Sequence, residues 1–183
     1  MEAFLVSTAV VGLAEIGDKT QILSLLLAAR FQRPWPIICG IFCATIANHA
    51  AAGLAGTLFG DLLAGPWLRW ILAASFFSVA VWALFPDKFE DGGARPRYGA
   101  FLTTLFAFFL AEIGDKTQIA TIGLAARFEQ FAPVVAGTTL GMMLANIPVV
   151  IAGNRAAGRL PVRAIRIVAA IVFAILGVLT LVG

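Results

Sequence analysis

Charged residues are scarce in this chain. Only 13% of its 183 residues are Asp, Glu, Lys or Arg, whereas 61% are hydrophobic, and the mean hydropathy is +0.96. A soluble domain carries about 25% charged residues, and so few charges could not cover this much apolar surface in water. The composition therefore excludes a cytosolic enzyme, a nucleic-acid-binding protein and a disordered chain. We interpret the chain as an integral membrane protein.

Cysteine and histidine are also almost absent. Cys39 and Cys43 are the two cysteines, and His49 is the single histidine. Two cysteines exclude a disulfide framework and a thiolate metal cage. We expect both cysteines to be buried helix-packing residues. We expect His49 to be a packed or pore-edge residue, although an imidazole can also accept a proton or bind a metal.

Long apolar stretches make up most of the chain, each about the 20 residues that a transmembrane helix needs. Their continuity predicts helices instead of strands, so the expected fold is all-α. Met1-Glu2 supplies no basic region of a secretory signal, and we expect the first stretch to be a retained helix. Six spans are predicted, at residues 3–28, 35–60, 66–86, 99–126, 132–153 and 162–182.

Basic residues are distributed unevenly between the two sides of these spans. The connections after the first, third and fifth spans carry nine Lys and Arg residues, and the opposite side carries two, Arg69 and Arg127. Because Lys and Arg are enriched in cytoplasmic loops, we expect a multi-pass inner-membrane protein with both termini outside the cytoplasm. The nine residues are Arg30, Arg33, Lys88, Arg95, Arg97, Arg155, Arg159, Arg163 and Arg166.

A repeat divides the chain into two halves. Residues 14–31 (AEIGDKTQILSLLLAARF) and 111–128 (AEIGDKTQIATIGLAARF) are offset by 97 residues without a gap and agree at 14 of 18 positions. Three spans per half is an odd number, so the second half must enter the membrane from the opposite side, which predicts an inverted repeat. We expect a first three-helix repeat at 1–86, a charged cytoplasmic linker at 87–98 and a second, inverted repeat at 99–183.

Two pairs of glycines have the GxxxG spacing, Gly56 with Gly60 and Gly137 with Gly141. Such spacings suit close contacts between membrane helices. The general tolerance of membrane helices for glycine explains them equally well.

Each half carries the same polar motif in the middle of its first span, at residues 15–21 and 112–118. A charge at bilayer depth costs at least about 2.5–3.5 kcal/mol, so these groups must face each other or water. On a continuous helix Glu15 shares a face with Asp18 and can pair with Lys19. The candidate metal ligands are Glu15, Asp18, Gln21, Glu112, Asp115 and Gln118, and the candidate supporting residues are Gly17, Lys19, Thr20, Asn48, Gly114, Lys116, Thr117 and Asn146.

These residue types suit a hard cation. Four carboxylates and two ammonium groups leave an excess of two negative charges, which would balance one divalent cation. Carboxylate, amide and hydroxyl oxygens suit Ca²⁺, Mg²⁺ or Mn²⁺, and crowded carboxylates in a low dielectric also take up protons. Gly17 and Gly114 could loosen the helix and free backbone carbonyls for coordination. One site could thus hold either a metal or protons, as an exchanger requires.

Composition and spacing alone therefore predict a divalent-cation or proton-coupled transporter. A channel lined by the same acids and a set of ion pairs that only lock the bundle stay open as alternatives. No enzymatic activity is expected. The Glu-x-Gly-Asp pattern differs from the Gly-x-Gly-Asp of intramembrane aspartyl proteases, and the chain contains no Gly-x-Ser-x-Gly.

The doubled motif resembles the signature of the cation–proton exchangers that include the Golgi transmembrane protein 165 and the bacterial MneA manganese exporters. That signature is two copies of Glu-x-Gly-Asp-(Lys/Arg)-(Thr/Ser), matched here at residues 15–20 and 112–117. The resemblance covers essentially the whole chain. It implies alternating-access export of Mn²⁺ from the cytosol in exchange for protons. A Ca²⁺/H⁺ exchanger is the alternative, and a divalent-cation channel is less favoured.

The same resemblance implies that the four acidic residues of the two copies form the ion site. The expected partners are a divalent metal ion, as transported substrate, and the lipid bilayer, with H⁺ as the coupling ion. No permanently bound cofactor and no nucleic acid are expected.

Overall fold

The computed structural model of the chain describes residues 1–62, 67–85, 99–153 and 162–182. Within these ranges the chain forms eight α-helices and no β-strand, which confirms the predicted all-α class. The helices are α1 (Glu2–Glu15), α2 (Lys19–Phe31), α3 (Pro34–Leu62), α4 (Leu68–Ala83), α5 (Ala100–Glu112), α6 (Lys116–Phe128), α7 (Phe131–Ala152) and α8 (Val162–Val182).

Two of the predicted spans are interrupted in the middle. The stretch predicted at 3–28 consists of α1 and α2, and the stretch predicted at 99–126 consists of α5 and α6. Gly17 and Gly114 lie in the interruptions with φ of +79° and +73°, a conformation that residues with a Cβ rarely adopt. The helix is thus interrupted at these two glycines, as expected, and the release of backbone carbonyls for coordination stays a prediction. The other four predicted stretches correspond to α3, α4, α7 and α8.

Helix α1 packs along α7 through two glycines of α7. A Cβ on Gly137 would overlap the Phe4 carbonyl oxygen, and a Cβ on Gly141 would lie 2.6 Å from the Thr8 carbonyl oxygen. The contacts thus advance in the same direction along both helices. This GxxxG spacing does mark a close helix contact, as one of its two interpretations predicted.

Helix α5 packs along α3 in the corresponding way. A Cβ on Gly40 would lie 2.8 Å from the Phe101 carbonyl oxygen, and further along both helices Asn48 Nδ2 donates to the Phe109 carbonyl oxygen at 3.0 Å. Helix α3 also contacts α6 and α7, and α4 packs on α8. The first helix of each half therefore lies against the α3 or α7 helix of the other half.

Charged side chains lie in the interior and large apolar side chains lie on the surface, the reverse of the distribution in soluble proteins. Glu15, Asp115 and Lys116 are buried, whereas Leu110 and Ile171 are exposed. An extended apolar surface of this kind marks contact with a membrane or a partner. Among the described helices, α3 and α7 are long and apolar enough to cross a membrane.

The predicted linker at 87–98 lies outside the described residues. The same is true of five of the basic residues assigned to the cytoplasmic side, namely Lys88, Arg95, Arg97, Arg155 and Arg159.

The prediction that Cys39 and Cys43 are buried was wrong, because both are exposed. They lie on the outer face of α3, while Gly40 and Ala44, each one residue further along, face other helices. A thiol is only weakly polar, so its position on the helix decides its burial. His49 is fully buried on the same helix, as a packed residue would be.

Replacing Gly137 with alanine is expected to destabilise the protein, because the added methyl group would overlap the Phe4 backbone carbonyl. Overpacking of this kind costs about 1–3 kcal/mol, so the Tm of the purified protein in detergent should fall by several degrees. Gly12→Ala is the matched control, since its methyl group would meet the Gly141 Cα at an ordinary 3.6 Å. Equal Tm values for the two variants would contradict the close α1–α7 packing.

Candidate ion site

The two helix interruptions bring the repeated motifs together in the interior. Glu15 and Glu112 are the last residues of α1 and α5, and Asp18 and Asp115 are the N-caps of α2 and α6. All four side chains are buried, none more than 1% exposed. The positive N-terminal ends of α2 and α6 favour negative charge on the two aspartates.

Three of the four acids approach one another closely. One carboxylate oxygen each from Glu15, Glu112 and Asp115 lie within 4.8 Å of one another. Oxygens that bind one Ca²⁺ ion at about 2.3–2.6 Å are separated by at most about 5 Å, so the spacing of these three groups is compatible with a shared cation. Asp18, the fourth predicted ligand, is outside this set of three.

Each lysine of the motif pairs with the aspartate of the other half. Lys19 Nζ is 2.7 Å from Asp115 Oδ1, and Lys116 Nζ is 2.5 Å from Asp18 Oδ1. The predicted pairing of Lys19 with Glu15 was wrong. The helix ends at residue 15 and begins again at residue 19, so a spacing of four does not bring these two side chains onto one face.

Each glutamate accepts a hydrogen bond from a threonine of its own motif. Thr20 Oγ1 donates to Glu15 Oε2 at 2.5 Å, and Thr117 Oγ1 donates to Glu112 Oε2 at 3.1 Å. The second oxygen of each glutamate, Oε1, is buried and has no hydrogen-bond partner among the described residues. Buried polar atoms are rarely left in this condition, which makes these two oxygens candidates for binding an ion or a proton.

The two predicted glutamine ligands have backbone partners. Gln21 Oε1 accepts the Gly17 N–H and Gln118 Oε1 accepts the Gly114 N–H, each at 2.8 Å. Gln21 Nε2 also donates to the Ala145 carbonyl oxygen at 2.9 Å. Because a helix break leaves backbone groups without helical partners, the glutamines stabilise the interruptions that position the acids.

The two predicted asparagines lie on α3 and α7. Asn48 Nδ2 donates to the Phe109 carbonyl oxygen, and Asn146 Oδ1 accepts a 2.7 Å hydrogen bond from Ser24 Oγ. The sequence prediction did not include Ser24. The repeat contains a signal for it, because Thr121 supplies a hydroxyl group at the same position of the second half.

One protein family model matches almost the whole sequence. Residues 3–91 and 100–183 match the family model described as the divalent cation/proton antiporter GDT1. The chain belongs to the GDT1 family. The resemblance seen in the doubled motif is thereby confirmed, and the prediction that the protein is not an enzyme agrees with a family of transporters.

Several relatives of this GDT1-family chain match it over almost its whole length. A Vibrio cholerae protein described as a candidate manganese exporter is 48% identical over 181 residues, 98% of this chain and 90% of the relative. GDT1-like protein 5 of Arabidopsis thaliana is 28% identical over 221 residues, 99% of this chain and 96% of the relative. GDT1-like protein sll0615 of Synechocystis is 27% identical over 208 residues, 98% and 97% of the two chains. No solved structure matches the chain at a significant level.

Neutralising Asp18 in this GDT1-family chain is expected to destabilise the fold, because it removes the carboxylate 2.5 Å from the buried Lys116 ammonium. Removing one partner of a buried ion pair costs about 3–5 kcal/mol. The double variant Asp18→Asn/Lys116→Met removes both charges and should regain most of that loss. Free energies of unfolding of the single and double variants give the coupling between the two side chains.

The control cycle for this measurement combines Glu112→Gln with Lys116→Met. Glu112 and Lys116 are four residues apart, but the helix break separates them, and their coupling should be the weaker of the two. Stronger coupling for Glu112–Lys116 than for Asp18–Lys116 would contradict pairing between the halves.

Proposed function

We propose that this chain exports Mn²⁺ from the cytosol in exchange for protons, by alternating access at the carboxylates buried between its two halves. Mn²⁺ is the transported substrate, H⁺ is the coupling ion, and no cofactor is bound permanently. The proposed ion ligands are Glu15, Asp18, Glu112 and Asp115, with Gln21 and Gln118 at the edge of the site.

The close approach of three buried carboxylates, which the lysines only partly neutralise, carries this proposal. One oxygen each from Glu15, Glu112 and Asp115 lie within 4.8 Å of one another. Lys19 pairs with Asp115 and Lys116 pairs with Asp18, so four carboxylates share two ammonium groups and two negative charges stay in excess. Two such charges in an apolar interior are unstable unless a proton or a cation accompanies them.

Competition for the same oxygens couples the two ions. A divalent cation binds deprotonated carboxylates. Protons arriving from outside displace it and neutralise Glu15 and Glu112, and the protein can then return without the metal. Lys19 and Lys116 stay in the site when the metal leaves, so their charges stabilise the empty form.

The proposed arrangement in the membrane is six spans, with an inverted repeat of residues 1–86 and 99–183 joined by a cytoplasmic linker. Helices α1 and α2 together form one span, as do α5 and α6. Two features support opposite directions for the halves. Helix α1 runs in the same direction as α7, and α5 runs in the same direction as α3. Residues at the beginning of α3 and at the end of α7 line the same cavity, so the start of one helix lies beside the end of the other.

The proposed location is the cell inner membrane, with both termini outside the cytoplasm. The bias of nine basic residues to two supports this orientation. The exposed side chains of Trp35 and Trp67, beside the N-terminal ends of α3 and α4, suit the membrane–water interface.

The preference for Mn²⁺ rests on a relative as well as on the ligands. Oxygen ligands alone suit both Mn²⁺ and Ca²⁺. The Vibrio cholerae relative, 48% identical to this chain, is described as a candidate manganese exporter. Manganese is therefore the substrate we propose, and calcium is the competitor that the transport experiment must include.

Purified protein in proteoliposomes tests the proposal. With the interior acidic, protons leaving the vesicles should drive Mn²⁺ inward against its own gradient. Glu15→Gln and Glu112→Gln should each reduce this exchange at least about 100-fold, because each removes a charged ligand from the site. Glu2→Gln, an exposed carboxylate of the same helix as Glu15, is the control and should transport normally.

Three outcomes contradict parts of this proposal. Normal exchange by both glutamine variants, with the protein folded, would overturn the ion site. Mn²⁺ flux that only dissipates its own gradient identifies a channel. Calcium uptake that excludes equimolar Mn²⁺ identifies a Ca²⁺/H⁺ exchanger.

A further inference from the structure

The two halves make different contacts at the interfaces that the repeat relates to each other. Helix α2 of the first half lies against α7 of the second half, and α6 of the second half lies against α3 of the first half. Helices α2 and α6 are identical at 9 of 13 positions, including Ala28 and Ala125, so residues of the same type can be compared at the two interfaces.

The α6–α3 interface is closed. A Cβ on Gly56 of α3 would overlap the Ile122 carbonyl oxygen and would lie 2.8 Å from the Ala125 Cβ. Backbone and small side chains therefore meet without a gap, and no ion can pass between the helices at this level.

The α2–α7 interface is open at the equivalent position. Ala28, the counterpart of Ala125 in the repeat, lines a cavity of about 290 Å³. Val150 and Gly153 of the α7 end form the opposite wall, and Arg33 lies at its edge. Of the two equivalent alanines, Ala125 is thus packed against α3, whereas Ala28 lines a cavity.

A polar contact lies one helical turn inward from residues that line this cavity. Ser24 Oγ donates to Asn146 Oδ1 at 2.7 Å, and both side chains are fully buried. Ser24 is one helical turn before Ala28, and Asn146 is one turn before Val150, so the bond lies just inside the cavity. Thr20, one turn further inward, donates to a carboxylate of the ion site. Along α2 the Ser24–Asn146 bond therefore lies between the cavity and the carboxylates.

The counterparts of these two residues have other partners. Thr121 Oγ1 donates its single proton to the Thr117 carbonyl oxygen of its own helix at 2.7 Å. Asn48 Nδ2 donates to the Phe109 carbonyl oxygen of α5. Thr121 therefore does not donate to Asn48 as Ser24 donates to Asn146.

We infer that the Ser24–Asn146 hydrogen bond is the inner gate between the carboxylates and the cavity beside Arg33, that this gate opens when the bond breaks while the cavity is still present, and that Thr121 and Asn48 form the equivalent bond when the α6–α3 interface opens. The inference rests on the proposed exchange function. In an inverted repeat the opposite state is reached when the halves exchange conformations. Ala28 then packs against α7, Ser24 turns to its own helix, and a cavity opens at Ala125.

Disulfide formation between engineered cysteines tests this gate in the full-length protein. In a Cys39→Ala/Cys43→Ala background, the pair Ser24→Cys/Asn146→Cys should oxidise readily in metal-free proteoliposomes. The pair Asn48→Cys/Thr121→Cys should oxidise slowly there. Protection of the thiols from a maleimide reagent measures both rates.

A second variant leaves Asn146 intact. Adding Ser24→Ala to the Asn48→Cys/Thr121→Cys protein removes a bond made only in the present conformation. Its oxidation should accelerate about fivefold, the population shift expected from the loss of one buried hydrogen bond. Ser78→Ala is the control, because Ser78 Oγ donates within α4 and is exposed, and it should leave the rate unchanged.

Equal oxidation rates for the two cysteine pairs, or no effect of Ser24→Ala, would overturn the gate. Disulfide formation requires no ion flux. A failed gate with intact Mn²⁺/H⁺ exchange and a working gate without exchange are therefore distinguishable results.

Discussion

A charge buried in an apolar interior needs a compensating charge, and this requirement organises the centre of the molecule. Lys19 and Lys116 each reach across to the aspartate of the other half, at 2.7 and 2.5 Å. Both pairs join the N-terminal end of α2 to the N-terminal end of α6, and the two glutamates precede the aspartates at these ends by three residues in the sequence. Because two lysines face four carboxylates, the compensation is incomplete, and the remaining negative charge is what a transported cation would neutralise.

The helix interruptions make this arrangement possible. Gly17 and Gly114 adopt positive φ, and the glutamines of the motif satisfy the N–H groups of those same glycines. Each motif thus supplies one helix end carrying a glutamate and one helix start carrying an aspartate. A continuous helix would instead direct several of these groups towards lipid, where their cost is high.

The sequence predicted the residues of the candidate site better than their partners. The doubled motif identified the four acids and the two glycines, because only a shared polar interior tolerates such charges in an apolar chain. The pairing of Lys19 was missed, since the spacing rule for helices assumes an unbroken helix. The exposure of Cys39 and the bond of Ser24 depend on which helix lies opposite, and a single sequence contains no direct record of that packing.

Proton release on metal binding tests the central claim most directly, that one set of buried carboxylates holds either protons or a divalent cation. When Mn²⁺ is added to the purified protein in weakly buffered detergent solution, about two protons should be released per ion bound, because the metal requires deprotonated ligands. With Glu112→Gln the release should fall by about half. Tight Mn²⁺ binding without any proton release would contradict the account.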